Sequence, residues 1–194
     1  MISKKVKIGA MIIAVASLAQ AANANGFFDF RTDFHKLNYV SAQVGYAYKK
    51  EASSVNTKKQ IPVAANINWG QKFRVSSRIF LGYETGFNYL GYSSFTYQGV
   101  SMTQNNYAFD ALGTLTGFFN PYFELHAKVG PYYGFSSGSA PSANGVNLMA
   151  AVGAGLYVND STETTLNLNY FNGSNGVGKL QRTTSLNLGI NFYF

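Results

Sequence analysis

The chain has no cysteine, which excludes disulfides, thiolate nucleophiles and cysteine metal sites. It is poor in charge as well. Asp, Glu, Lys and Arg make up 12% of its 194 residues, about half the ~25% of a typical soluble domain. No apolar run reaches the ~18 residues that a membrane-spanning helix needs. Tryptophan occurs once, against 14 Tyr and 16 Phe. A mean hydropathy of −0.05, few charges and many aromatics fit strands with one apolar and one polar face. The length suits one domain.

The N-terminus carries an export pattern. Lys4, Lys5 and Lys7 form a basic start, and Ile8 to Leu18 is an apolar stretch too short to cross a bilayer. Ala22-Asn23-Ala24 supplies a small-x-small cleavage site, so residues 1–24 are expected to be a signal peptide cut after Ala24, with Ala21 the next choice. Three lysines leave with it, and the remaining 12 basic and 8 acidic residues give a net charge of +4. That is too mild for a nucleic-acid partner, and no recognition motif supports one. Residues 25–37 do not alternate cleanly; they are set down as a periplasmic lead-in, with a small plug or an extension of the first strand as the alternatives.

From Asn38 onward, apolar residues recur at every second position, the period of a strand with one buried face. The ending is clearest. Leu186, Leu188, Ile190, Phe192 and Phe194 share one face, while Ser185, Asn187, Gly189, Asn191 and Tyr193 share the other. Eight strands are expected, near 38–49, 61–70, 75–90, 105–119, 122–135, 145–158, 163–171 and 183–194. In the fourth, Tyr107, Phe109 and Leu115 are set as the apolar face against Leu112 and Phe118.

The connections favour a membrane barrel over a sandwich. Links around Gly70-Gln71-Lys72, Asn120-Pro121 and Asn159-Asp160-Ser161 read as tight, and the alternate links as long and rich in Ser, Gly, Asn and Lys. Short turns on one side and long loops on the other mark an even-stranded outer-membrane barrel. The expected fold is all-β, a closed antiparallel up-and-down transmembrane β-barrel of eight strands over residues 38–194.

A basic side chain on the lipid face near mid-membrane costs about 2–4 kcal/mol, so strand charges should fall on the polar parity. Arg78, Glu84, Asp110, Glu124, His126 and Lys128 all do. Buried charges must be paired, and crude heights along the strands predict an Arg78–Glu124 pair and a cluster of Lys128 with Glu84 and Asp110. His126 reads as an interior group of that network. No serine shares its face, although Thr114 or Thr116 on the neighbouring strand could approach it. With His35 the only other histidine, no metal-ligand spacing is evident. The Gly-rich stretches GSNGVG and SSGSAPSANG lack the Lys-Ser/Thr of a phosphate loop, so no cofactor is expected.

Tyr48, Trp69, Tyr89, Tyr107, Phe123, Tyr133, Phe135, Tyr157 and Phe192 fall near strand ends, where aromatic rings settle at headgroup level. Lys49, Lys50, Lys58 and Lys59 bracket the first long loop and could contact lipopolysaccharide phosphates.

The signal, the alternating segments and the ending Leu186 to Phe194 resemble the small outer-membrane barrels of the OmpA transmembrane-domain and opacity-type group. In that resemblance, Leu188, Ile190, Phe192 and Phe194 correspond to the strand read by the outer-membrane assembly machinery. Lipid A deacylases are similar in size and strand count, and they use a His and a Ser on the wall. Here the string is His126-Ala127-Lys128, with lysine where their serine is expected. The expected function is a non-enzymatic envelope protein acting through long outer loops. Its partners would be outer-membrane lipids, lipopolysaccharide and a host or surface ligand. A narrow gated pore is the alternative, and a lipid A-modifying enzyme comes third.

Overall fold

The computed structural model describes residues 36–49, 56–174 and 180–194. The signal segment, the lead-in up to residue 35, and Lys50 lie outside the described residues, and of Lys58 and Lys59 only the backbone is described. Nine strands result: β1 (Lys36–Lys49), β2 (Asn56–Ile61), β3 (Val63–Arg74), β4 (Ile79–Tyr97), β5 (Val100–Asn120), β6 (Phe123–Ser137), β7 (Asn144–Asn159), β8 (Thr162–Phe171) and β9 (Thr183–Tyr193). The first strand thus starts at Lys36, within the stretch read as lead-in.

These strands make eight staves. β2 and β3 are one stave interrupted at Pro62, which has no N–H to give to a ladder. Both pair antiparallel with β4, Ile61 opposite Tyr92 and Ala65 opposite Tyr89. Each stave then pairs with the next in sequence, and β9 returns to β1, from Tyr39–Tyr193 to Lys49–Thr183. The ring is therefore a closed antiparallel eight-stranded barrel, which leaves no open sheet edge within the wall.

Its two faces are inverted relative to a soluble protein. Val44, Ile67, Val129, Val152, Leu148 and Phe192 are exposed on the outside, while Asn68, Asn88, Glu124, Glu163, Asn167 and Asn187 are buried inside. Such a surface is stable only where the exterior solvent is hydrocarbon. The parity set for the fourth strand is the one observed, with Phe109 and Leu115 exposed and Leu112 buried.

Two expectations about the connections are corrected. The link at Gly70-Gln71-Lys72 is not a turn, because β3 runs on to Arg74 and the chain reverses at Val75 to Arg78. Gly70 serves close approach instead: it pairs with Tyr39, and a Cβ there would overlap the Tyr39 ring. The long link after the third strand is not a loop. β4 and β5 stay paired out to Tyr97–Val100, and Gln98 and Gly99 turn at φ of 50° and 81°, as a two-residue type I′ hairpin requires. A bulge at Leu90-Gly91, with Gly91 at φ 89°, shifts the register between Tyr89 and Tyr92 and switches the inward parity. That shift broke the alternation, so the segment read as a loop. Beyond it, β2 and the ends of β4 and β5 form a three-stranded arm at the end opposite the short turns. The arm extends some six residues, roughly 20 Å at ~3.4 Å per residue.

Candidate functional site: the charged interior and the outer rim

Even positions of β3, β4, β5 and β6 and odd positions of β1, β7, β8 and β9 face inward, so the interior groups follow from strand parity. Two charge clusters form. In one, Lys128 Nζ donates to both oxygens of Glu84, at 2.8 and 2.7 Å, and the Tyr39 hydroxyl donates to Glu84 Oε2 at 2.7 Å. Asp110 stands beside this pair without contacting the lysine directly; its Oδ2 accepts from Asn88 at 2.6 Å.

The second cluster lies near the short turns. Lys72 Nζ donates to Glu124 Oε1 and Oε2 at 2.8 and 2.9 Å and to the Tyr193 hydroxyl at 2.9 Å. Tyr157 donates to Glu124 Oε2 at 2.7 Å. Glu163 Oε2 accepts from Tyr193 at 2.5 Å and from Asn191 at 2.8 Å. The ammonium also lies over the Tyr39 and Tyr193 rings, 5.5 and 5.4 Å from their centroids, where the ring quadrupole attracts a cation.

The expected Arg78–Glu124 pair is therefore wrong. Arg78 is exposed in the turn after β3, and Lys72 takes its place because β3 is four residues longer than expected. Lys49 also departs from its expected role at the lipopolysaccharide surface. It is an odd position of β1, so its chain turns inward, and its Nζ donates to the Gly91 carbonyl at 2.8 Å. Tyr157 is no girdle residue, being 2% exposed in the interior. The sequence reading missed Lys72 and Glu163. Extending the inward parity of Asn66 and Asn68 through Gly70 would have found Lys72, and Glu163 shares the polar parity of Thr165 and Asn167.

His126 is held on both sides. Its Nδ1 is 3.1 Å from Glu124 Oε1 and its Nε2 is 2.6 Å from Asn167 Oδ1. Thr116 pairs with it across the strands, but neither the Thr116 nor the Thr114 hydroxyl is hydrogen-bonded to the imidazole. A nucleophilic hydroxyl needs that bond to be activated.

Two clusters of buried hydrophobic side chains pack inside the barrel at different levels. Leu37, Tyr39, Phe80, Tyr157 and Tyr193, with Phe118 and Tyr122 against them, pack at the short-turn end. Leu90, Ala108, Leu112, Tyr132, Met149, Ala151 and Phe171 pack below the opposite mouth, on β4 to β8. Tyr132 and Phe171 meet edge to face there, at 5.3 Å.

At that mouth, charge is sorted around the ring. Residues 50–61 and 172–182 contain Lys50, Lys58, Lys59, Lys179 and Arg182 against Glu51 alone, while residues 91–104 and 136–144 carry no charged side chain. Because β1 pairs with β9, Lys49 and Thr183, the strand ends that these two basic stretches join, are neighbours.

A closed, antiparallel eight-stranded barrel with its apolar face outward is the architecture of the small outer-membrane β-barrels, and solved structures agree on the fold. Ail, the attachment invasion locus protein of Yersinia pestis, superposes with a TM-score of 0.58 at 11% identity, over 83% of this chain and 100% of its own. Neisserial surface protein A matches with a TM-score of 0.53 at 14% identity, over 83% of this chain and 98% of its own. The outer membrane protein OprG from Pseudomonas aeruginosa matches at 0.50 and 8% identity, over 82% and 96%. Ail has also been solved in complex with the heparin analogue sucrose octasulfate, and that structure too matches with a TM-score of 0.58, at 12% identity. No protein-family model matches the chain, and no curated protein does. The shared property is the fold, that of the small outer-membrane barrels.

Proposed function

We propose that this protein is a non-enzymatic barrel of the outer membrane that works through its outer rim, as a surface-interaction protein for anionic glycolipids or glycans. The observation that carries the reading is the division of the molecule. The interior is packed with buried side chains, two hydrophobic clusters among them, and the end opposite the short turns carries a hairpin arm and the strand ends that two basic stretches of sequence join. A cationic rim beside a polar arm attracts phosphate or sulfate groups over a distance set by ionic strength. The Ail complex, in which a barrel of this fold holds a sulfated heparin analogue, supports the same ligand class. The engagement of both His126 ring nitrogens, and the absence of a hydroxyl on either, weighs against a hydrolase.

The test is retention of lipopolysaccharide and of a sulfated polysaccharide by vesicles carrying the folded chain with its rim outward. Binding should weaken with salt and with the combined change Lys58→Glu, Lys59→Glu and Arg182→Glu. Binding that is indifferent to both salt and charge reversal would remove the reading.

A further inference from the structure

We propose that Glu124, His126 and Glu163 form a binding site for one divalent transition-metal cation of the zinc class, inside the short-turn end of the barrel. Each offers a buried ligand atom, and these atoms lie within 4.8 Å of one another.

Three observations point to a cation there. The first is charge. Glu124 and Glu163 are both fully buried, yet the Lys72 ammonium donates to the two oxygens of Glu124 while Glu163 accepts only from the neutral Tyr193 and Asn191, and an uncompensated charge in such a place is expensive.

The second is an atom without a partner. Glu163 is 0% exposed, and its Oε2 takes both donors within reach, Tyr193 and Asn191. Its Oε1 has no hydrogen-bond partner. That oxygen lies over Gly155, where a Cβ would overlap it and also crowd Glu124 Cγ, so the glycine leaves room for both carboxylates.

The third is the histidine. Asn167 Nδ2 donates to Gln43 Oε1 and Thr165 Oγ1, at 3.3 and 3.2 Å, which turns its Oδ1 toward His126 Nε2 at 2.6 Å. A carbonyl there holds the hydrogen on Nε2 and leaves the Nδ1 lone pair facing Glu124 Oε1 at 3.1 Å. Glu124 Oε1 already accepts from Lys72 at 2.8 Å, but the Nδ1 lone pair beside it faces an acceptor and no donor. A spacing of 3.1 Å is near the edge of a coordination polyhedron with bonds of ~2.1 Å. A proton on Nδ1 would satisfy the histidine but would leave Glu163 Oε1 with nothing. A metal satisfies all three atoms.

Two carboxylate oxygens and one imidazole suit zinc, manganese or iron(II), with water completing the shell. The outer partners are already built. Asn167 orients the imidazole, Tyr193 and Asn191 hold Glu163, Lys72 holds both oxygens of Glu124, and Tyr157 donates to its Oε2.

The experiment titrates metal-stripped, folded wild-type protein in detergent with Zn²⁺ by calorimetry and with Co²⁺ by visible absorption. One ion per chain is expected. Glu163→Gln should weaken it about tenfold or more, and Asp160→Asn in the exposed turn should leave it unchanged. X-ray absorption of the zinc-loaded wild type should show an oxygen and nitrogen shell at ~2.0–2.1 Å with imidazole scattering, which keeps the test decisive if Glu163→Gln fails to fold. No saturable uptake by folded wild type overturns the site. So does uptake that survives Glu163→Gln, or a metal shell without histidine.

Discussion

Replacing Lys72 by Met removes the ammonium that holds both oxygens of Glu124, in a pair whose side chains are 4% and 0% exposed. Removing one partner of a buried pair costs about 3–5 kcal/mol, because the other charge is left without its counterion. Here the Tyr157 hydroxyl remains at 2.7 Å, so the loss should fall toward ~3 kcal/mol, the lower end of that range. The double replacement Lys72→Met with Glu124→Gln should recover most of it, since charge and counterion leave together. Arg78→Ala is the comparator: that side chain is exposed in the turn and should shift stability by less than ~0.5 kcal/mol. The assay is urea unfolding from lipid vesicles followed by the fluorescence of Trp69, the only tryptophan, 40% exposed on the outer face. Its emission should move to the red as it leaves hydrocarbon. If Lys72→Met costs no more than Arg78→Ala, or the double variant is less stable than the single one, the assignment of Glu124 to Lys72 is wrong.

Folded wild-type protein in a planar bilayer should show no discrete conductance, and Lys128→Ala should be equally silent, because Lys128 is tied to Glu84 within an interior packed with buried side chains. Reproducible steps altered by Lys128→Ala would instead put the pore reading first. On the outer wall, Ile67 is 65% exposed, and Ile67→Arg should cost about 2–4 kcal/mol if that level is mid-membrane. Val100, 56% exposed at the tip of the arm, should accept arginine within ~0.5 kcal/mol; equal costs at the two positions would refute the assignment of the arm to water.

Most of the wall is legible in the amino-acid pattern. Leu186 to Phe194, Leu166 to Tyr170 and Ile79 to Tyr89 place their apolar residues outward as their alternation requires. Two segments mislead for physical reasons. Gly70 looks like a turn because glycine is common in turns, yet it is a strand residue kept small by the Tyr39 ring. The segment from Gly91 to Gln104 looks like a loop because one bulge reverses its parity and its composition is Ser- and Thr-rich. The interior charges follow the same pattern. Lys128 meets Glu84 as expected, whereas the partner of Glu124, the role of Glu163 and the inward course of Lys49 come into view only with the register.

Alternation alone dictates that this chain makes strands with a lipid face and a polar face, because side chains alternate along a strand whatever it pairs with. Which polar groups meet is a property of the closed barrel. Contacts across its interior join residues far apart in the chain, Lys72 with Glu124 and Tyr193 among them. Those encounters depend on strand length, stagger and closure, which no local pattern encodes.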